Sequence, residues 1–171
     1  MEVKIKRLSK EAVIPKYAKS GDAGMDLVAT SRIFDNDGNV SYGTGLAFEI
    51  PDGYVGLLFP RSSNSKKDII LTNSVGVLDS GYRGEVFFKF KPSIFFASDL
   101  TDPGYDSDGF DFVVTPYAKD QGVADFGLHI YEVGDRIGQI IILPYPNIEF
   151  VEVEDLSETE RGDGGFGSSG K

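Results

Sequence analysis

The chain has 171 residues, a net charge of −10, 21 glycines, eight prolines, 13 phenylalanines and no cysteine. That length suits one domain with a real core. The missing cysteines exclude a disulfide scaffold, thiol chemistry and Cys-ligated zinc, and so acidic a surface repels a nucleic-acid backbone, which argues against general DNA or RNA binding.

Val3 and Ile5 alternate with Lys4 and Lys6, which predicts a first strand. The N-terminus has no apolar signal core, and no run approaches the ~20 apolar residues of a spanning helix, so a soluble, intracellular, cytoplasmic protein is expected. Asp35-Asn36-Asp37-Gly38-Asn39 reads as a polar hairpin turn. A calcium loop fails there, because Ile33 and Thr44 stand where an acidic residue should open and close it. Strands at 46–50 and 54–59 flank the turn Pro51-Asp52-Gly53. A short helix is predicted at 62–68, with a serine capping its first amides. Residues 71–86 look like a hairpin with glycines at its bends. Residues 85–90 alternate, 137–143 form a continuous apolar run typical of a buried strand, and Val151 and Val153 alternate with Glu152 and Glu154. There is no long amphipathic helix and no internal repeat. The expected fold is all-β, a jelly-roll-like sandwich or distorted barrel with very little helix.

Two stretches stand apart. Between about 93 and 128 lie seven aspartates, from Asp99 to Asp125, interspersed with Phe110, Phe112, Val113 and Val114. A solvated acidic loop, part of it packed or forming an extra hairpin, is the expectation. From Glu149 to Glu160 there are six acidic residues, after which the chain turns to glycine and serine. That composition buries little surface and should be mobile without ligand. The expected division is a single β domain over 1–155, carrying the insertion, and a Gly-rich arm over 156–171.

The chemistry concentrates in 71–86, where Asn73, Asp79 and Tyr82 fall within ten residues. Together they offer a base-edge hydrogen-bonder, a general base and a stacking surface. An isolated motif of this kind is more often an ordinary Gly-punctuated hairpin, but four further segments accompany it. These are Ala23-Gly24-Met25-Asp26-Leu27, Pro60-Arg61-Ser62-Ser63, Gly134-Asp135-Arg136-Ile137-Gly138-Gln139-Ile140, and the Gly-rich stretch Arg161 to Gly170. The five segments, in this order, resemble the five motifs of the trimeric dUTPases. The resemblance runs from residue 23 to the end of the chain. The insertion departs from a compact family member, and the resemblance assigns it no role.

The resemblance implies hydrolysis of dUTP to dUMP and diphosphate by a homotrimer with sites between subunits. Asp79 would activate water for attack at the α-phosphate; taken alone, a carboxylate is more often a surface or turn residue. Arg61, Ser62, Ser63 and Gln139 would contact the phosphates. Asn73, with the backbone at Gly76 and Val77, would read the uracil edge, since an amide offers both donor and acceptor. Tyr82 would pack where a 2′-hydroxyl would project, the group that separates the two sugars. In the arm, Arg161 would reach the phosphates, Phe166 would close over the base, and Gly167, Ser168 and Ser169 would supply amides and hydroxyls. Mg²⁺ would be held mainly by the triphosphate, with Asp26 supporting it through water. A strand-end role for Asp26 stays open, as does a structural ion pair for Arg136. Gly165 to Lys171 also fits a phosphate-loop pattern, but no Ser or Thr follows Lys171 and no helix can follow.

Two alternatives belong beside this reading. One is a dCTP deaminase-type enzyme of the same fold; it needs a glutamate to protonate the base and has no use for a stacking arm. The other is a regulatory or binding protein on the same scaffold, with a protein partner held through the acidic insertion.

Overall fold

The computed structural model describes residues 1–93 and 129–164. Ten strands run through them in chain order: β1 (Lys4–Arg7), β2 (Met25–Val28), β3 (Ser31–Phe34), β4 (Val40–Gly43), β5 (Leu46–Glu49), β6 (Tyr54–Phe59), β7 (Ile69–Leu71), β8 (Gly76–Leu78), β9 (Phe87–Pro92) and β10 (Arg136–Pro144). One sheet has the order β2-β10-β6-β8, the second β3-β4-β9-β7, and β1 pairs with β5. Every pairing is antiparallel. The expected all-β architecture is what forms, and no helix among the described residues is long and apolar enough to cross a membrane.

The alternation seen in the sequence does the sorting. On β9, Phe88 and Phe90 are buried while Phe87 and Lys89 face out. Both buried rings join a core that contains Leu27, Tyr42, Leu46, Ile50, Ile137 and Ile140 from the other strands. Tyr42 meets Phe90 edge-on at 5.9 Å. Its buried hydroxyl donates to the Tyr131 carbonyl at 2.8 Å, which satisfies a polar group that burial would otherwise penalise. Burial pushes the Tyr42 hydroxyl up to about 12, so it stays a donor.

At Gly138 the two sheets come close together. A Cβ there would lie 2.1 Å from the Phe88 ring, so only glycine lets β10 pass beneath it. The β10–β2 register also shifts between Arg136 and Gly138, the signature of a bulge that re-aims the following side chain, Gln139.

The turn at 35–39 forms as expected. Asp35 accepts the amides of Asp37 and Asn39 and the Lys89 ammonium. Lys89 first, then the side-chain and backbone amides of Asn39, hold its carboxyl well below the usual range. Pro51-Asp52-Gly53 also turns, with Gly53 at φ +79°.

Three expectations need correction. The arms of the 71–86 segment do not pair with each other: β7 pairs with β9 and β8 with β6, so this stretch crosses from one sheet to the other. The crossing is tight, with Ser74 at φ +58° and the Ser74 amide donating to Leu71. At 62–68 the helix is a 3₁₀ turn over Ser62–Lys66, and no side chain caps it. Arg61 occupies the cap position in extended conformation, because the serine falls one residue late. Residues 148–154 form no strand with the described chain. Phe150 is 92% exposed and Val151 78%, so their apolar alternation has no partner within it. The insertion, residues 94–128, and the arm from 165 onward lie outside the described residues.

Candidate active site

Three of the five motifs meet at one end of the β2-β10-β6-β8 sheet. β10 runs between β2 and β6, with Gln139 opposite Asp26 on one side and Phe59 on the other. This register brings the first motif, the fourth, and the segment that follows β6 to one point.

Asp26 is the hub. Its Oδ1 accepts from Arg61 Nε at 2.8 Å and its Oδ2 from Arg136 Nη1 at 3.1 Å. The carboxylate and Arg61 are about a quarter exposed, and Arg136 is more open. Two guanidiniums against one carboxylate leave a positive charge uncompensated, where an anion gains most. Each carboxylate oxygen keeps further acceptor capacity. Arg61 Nη1 also donates to Ser63 Oγ at 3.2 Å. Gln139 Nε2 donates to the Pro60 carbonyl at 3.2 Å, and Gly24 is what gives its amide room: a Cβ there would meet Gln139 Oε1 at 2.3 Å. Ser62 is exposed beside them.

The third motif lies apart. Gly76 pairs with Leu58 and is buried, but Leu78 pairs with Gly56. Asp79 thus leaves at the far end of β6. Arg61 is five residues along the chain from Gly56, roughly 16 Å at ~3.3 Å per residue. One chain does not bring Asp79 to the guanidiniums. Asp79, Asn73 and Val77 are exposed. The Tyr82 amide donates to the Asp79 carbonyl at 3.1 Å, and the Tyr82 hydroxyl donates to the Glu85 carbonyl at 3.0 Å. Its ring lies over Gly84, whose added Cβ would sit 2.4 Å from the hydroxyl. The turn thus fixes the ring while leaving it 46% exposed. Arg161 folds into its own turn, donating to the Gly164 carbonyl at 2.9 Å. Phe166, Gly167, Ser168 and Ser169 lie outside the described residues.

The dUTPase family model matches residues 10–93 and 127–170. The chain belongs to the dUTPase family. A deoxyuridine 5′-triphosphate nucleotidohydrolase from Hydrogenobaculum sp. is 35% identical over 99% of both chains. One from Nautilia profundicola is 35% identical over the full length of both. Among solved structures, a Staphylococcus bacteriophage 80alpha dUTPase with dUPNHPP superposes with a TM-score of 0.74 at 28% identity, covering 99% of each chain. A mutant dUTPase of phage phi11 of S. aureus, described with a structural Mg(II) ion, gives 0.65 at 25% identity and covers 91% of this chain and 98% of that one. The protein is accordingly a dUTPase, a hydrolase acting on dUTP. Its relatives favour hydrolysis over the deaminase alternative.

Sequence reading missed what stands behind the turn that carries Arg61, Ser62 and Ser63. Tyr131 and Asn64 are 67 residues apart, yet the Tyr131 hydroxyl donates to Asn64 Oδ1 at 3.3 Å. No spacing rule links them; only the preference for pairing a buried hydroxyl gives a hint. Burial is also the main reason the Tyr131 hydroxyl is shifted upward.

Proposed function

We propose that this dUTPase hydrolyses dUTP to dUMP and diphosphate by attack of water at the α-phosphate. The water oxygen bonds to the α-phosphorus, the bond to the bridging oxygen breaks, and the water proton passes to Asp79 as general base. The observation that carries this reading is the Asp26–Arg61–Arg136 pairing beside Gln139: a cationic, partly desolvated corner already assembled by ion pairs. Arg61, Ser62, Ser63 and Gln139 would bind the phosphates there. Asn73, Gly76 and Val77 would read uracil, and Tyr82 would screen the 2′ position. The arm, through Arg161, Phe166, Gly167, Ser168 and Ser169, would close the site, with aromatic stacking worth roughly 1–3 kcal/mol.

The distance between Asp79 and Arg61 supports a site built from more than one chain, and hence the homotrimer. The exposed apolar residues Ile148, Phe150, Val151 and Leu156 support it too, since they lack cover within the described chain. Within that assembly the chain divides into the β domain of 1–155 and the arm of 156–171.

Among the described residues no group of three or more acidic, His or Cys side chains could hold a metal. Mg²⁺ would be held mainly by the triphosphate, with the single carboxylate of Asp26 reaching it through water, as Mg²⁺ keeps several waters and few carboxylates. The ion would neutralise phosphate charge. Such chemistry belongs where deoxynucleotides are made, in the cytoplasm. Hydrolysis in ¹⁸O-water tests the reaction: label should appear in dUMP, and label in diphosphate would refute attack at the α-phosphate.

A further inference from the structure

Three consecutive residues, His129 to Tyr131, fasten the turn that carries Arg61, Ser62 and Ser63. His129 donates its amide to Asp68 Oδ2 at 2.8 Å and accepts the Asp68 amide at 2.9 Å. The Ile130 carbonyl accepts from Lys67 Nζ at 2.7 Å. The Tyr131 hydroxyl donates to Asn64. Asn64 is itself the keystone of the turn. Its amide donates to the Arg61 carbonyl and its carbonyl accepts the Lys67 amide, both at 2.9 Å. Its Nδ2 donates to the Ile69 carbonyl at 2.9 Å, which turns Oδ1 toward Tyr131.

Tyr131 is anchored at its other end. It is 3% exposed. Its carbonyl accepts from the Tyr42 hydroxyl and from Arg32 Nη1, and its ring packs against Tyr42 and Phe90. The Lys67 ammonium lies 5.0 Å over the ring centroid. The ring therefore belongs to the core, and only its hydroxyl reaches the turn.

We propose that Tyr131 is a positioning residue for phosphate binding: through Asn64 it ties the Arg61–Ser63 turn to the core, so that guanidinium and hydroxyls stand in place before substrate binds. This rests on the assignment of Arg61, Ser62 and Ser63 to the phosphates. A turn of five residues with no cap and no buried member has little internal reason to be rigid. The strap supplies that rigidity from outside, which removes an ordering cost from binding.

The test is Tyr131→Phe in the full chain, which keeps the ring and removes the hydroxyl. Without ligand, amide exchange at Asn64 and Lys67 should quicken by about 2- to 12-fold, the range one neutral hydrogen bond commands. Exchange in β9 and β10 should not change. With dUTP, KM should rise by a similar factor while kcat holds, since Asp79 leaves from the other end of the sheet. Inhibition by deoxyuridine, which has no phosphate, should be unaltered. Unchanged exchange in the turn would overturn the proposal. So would quickening spread evenly through the core, or a faster turn with an unchanged KM for dUTP. If the wild-type protein failed to use dUTP, the phosphate assignment would fall while the exchange data still decided whether Tyr131 holds the turn.

Discussion

Gly138→Ala tests the packing that joins the two sheets. The added methyl would stand 2.1, 2.4 and 2.8 Å from three atoms of the Phe88 ring. The nearest approach is more than ~1 Å short of ordinary contact. The ring cannot swing aside. Phe88 is 1% exposed and stacks on Phe90 at 6.3 Å, and Phe90 is itself closed in by Tyr42 and Tyr131. Overpacking of this kind typically costs about 1–3 kcal/mol. For a chain of this length that is a fall in Tm of about 2–12 °C. Thermal unfolding followed by circular dichroism at one fixed protein concentration would measure it. The companion Phe88→Leu opens space at the clash, so the double variant should lose less than the sum of the two singles. A wild-type Tm in Gly138→Ala, or strictly additive losses in the pair, would refute the contact.

Asp79→Asn should lower turnover by roughly 10²–10⁴-fold with little change in affinity for a non-hydrolysable dUTP analogue; near-normal turnover would remove Asp79 as the base. Tyr82→Ala should relax discrimination against UTP in competition assays, and unchanged rejection would put the sugar gate elsewhere. Truncation after Glu160 should leave Tm almost unaltered and abolish most catalysis, because water is no longer excluded from the site. Mixed oligomers of truncated and Asp79→Asn chains should regain activity at some sites if the arm serves a neighbour. Joining Ser93 to His129 with a short Gly-Ser linker should give a folded chain with normal hydrolysis, since both ends already bond to Asp68; loss of folding would show that residues 94–128 support the core.

Much of the fold was legible because alternation at period two is a strong local signal. β1 and β9 follow it, the continuous apolar run at 137–143 marked β10, and the polar turns at Asp35–Asn39 and Pro51–Gly53 formed where their residue types demanded. The 71–86 segment misled because β-favouring residues on both sides of a tight turn look alike whether the arms pair together or join different sheets. Only long-range partners, β9 for one arm and β6 for the other, decide between them. The strand expected at Val151 and Val153 had the right pattern but no edge to pair with in the described chain. In the site, Asp26, Arg61, Arg136 and Gln139 were each nameable from local motifs. Their mutual arrangement was not, since it depends on β10 lying between β2 and β6. Tyr131 carried no local mark.

Asp68 gives the chain a property of a different kind. Its carbonyl accepts the Ser93 amide at 2.8 Å, while its own amide and carboxylate hold His129. Seen from the sheets, whatever leaves at 93 and returns at 129 is a ring already closed on a single residue. The entropy of closing such a ring grows by only ~0.6 kcal/mol for each doubling of its length. The fold is therefore nearly indifferent to how much chain is threaded through this point, which makes it a port at which sequence can be lengthened, shortened or exchanged without retuning the core.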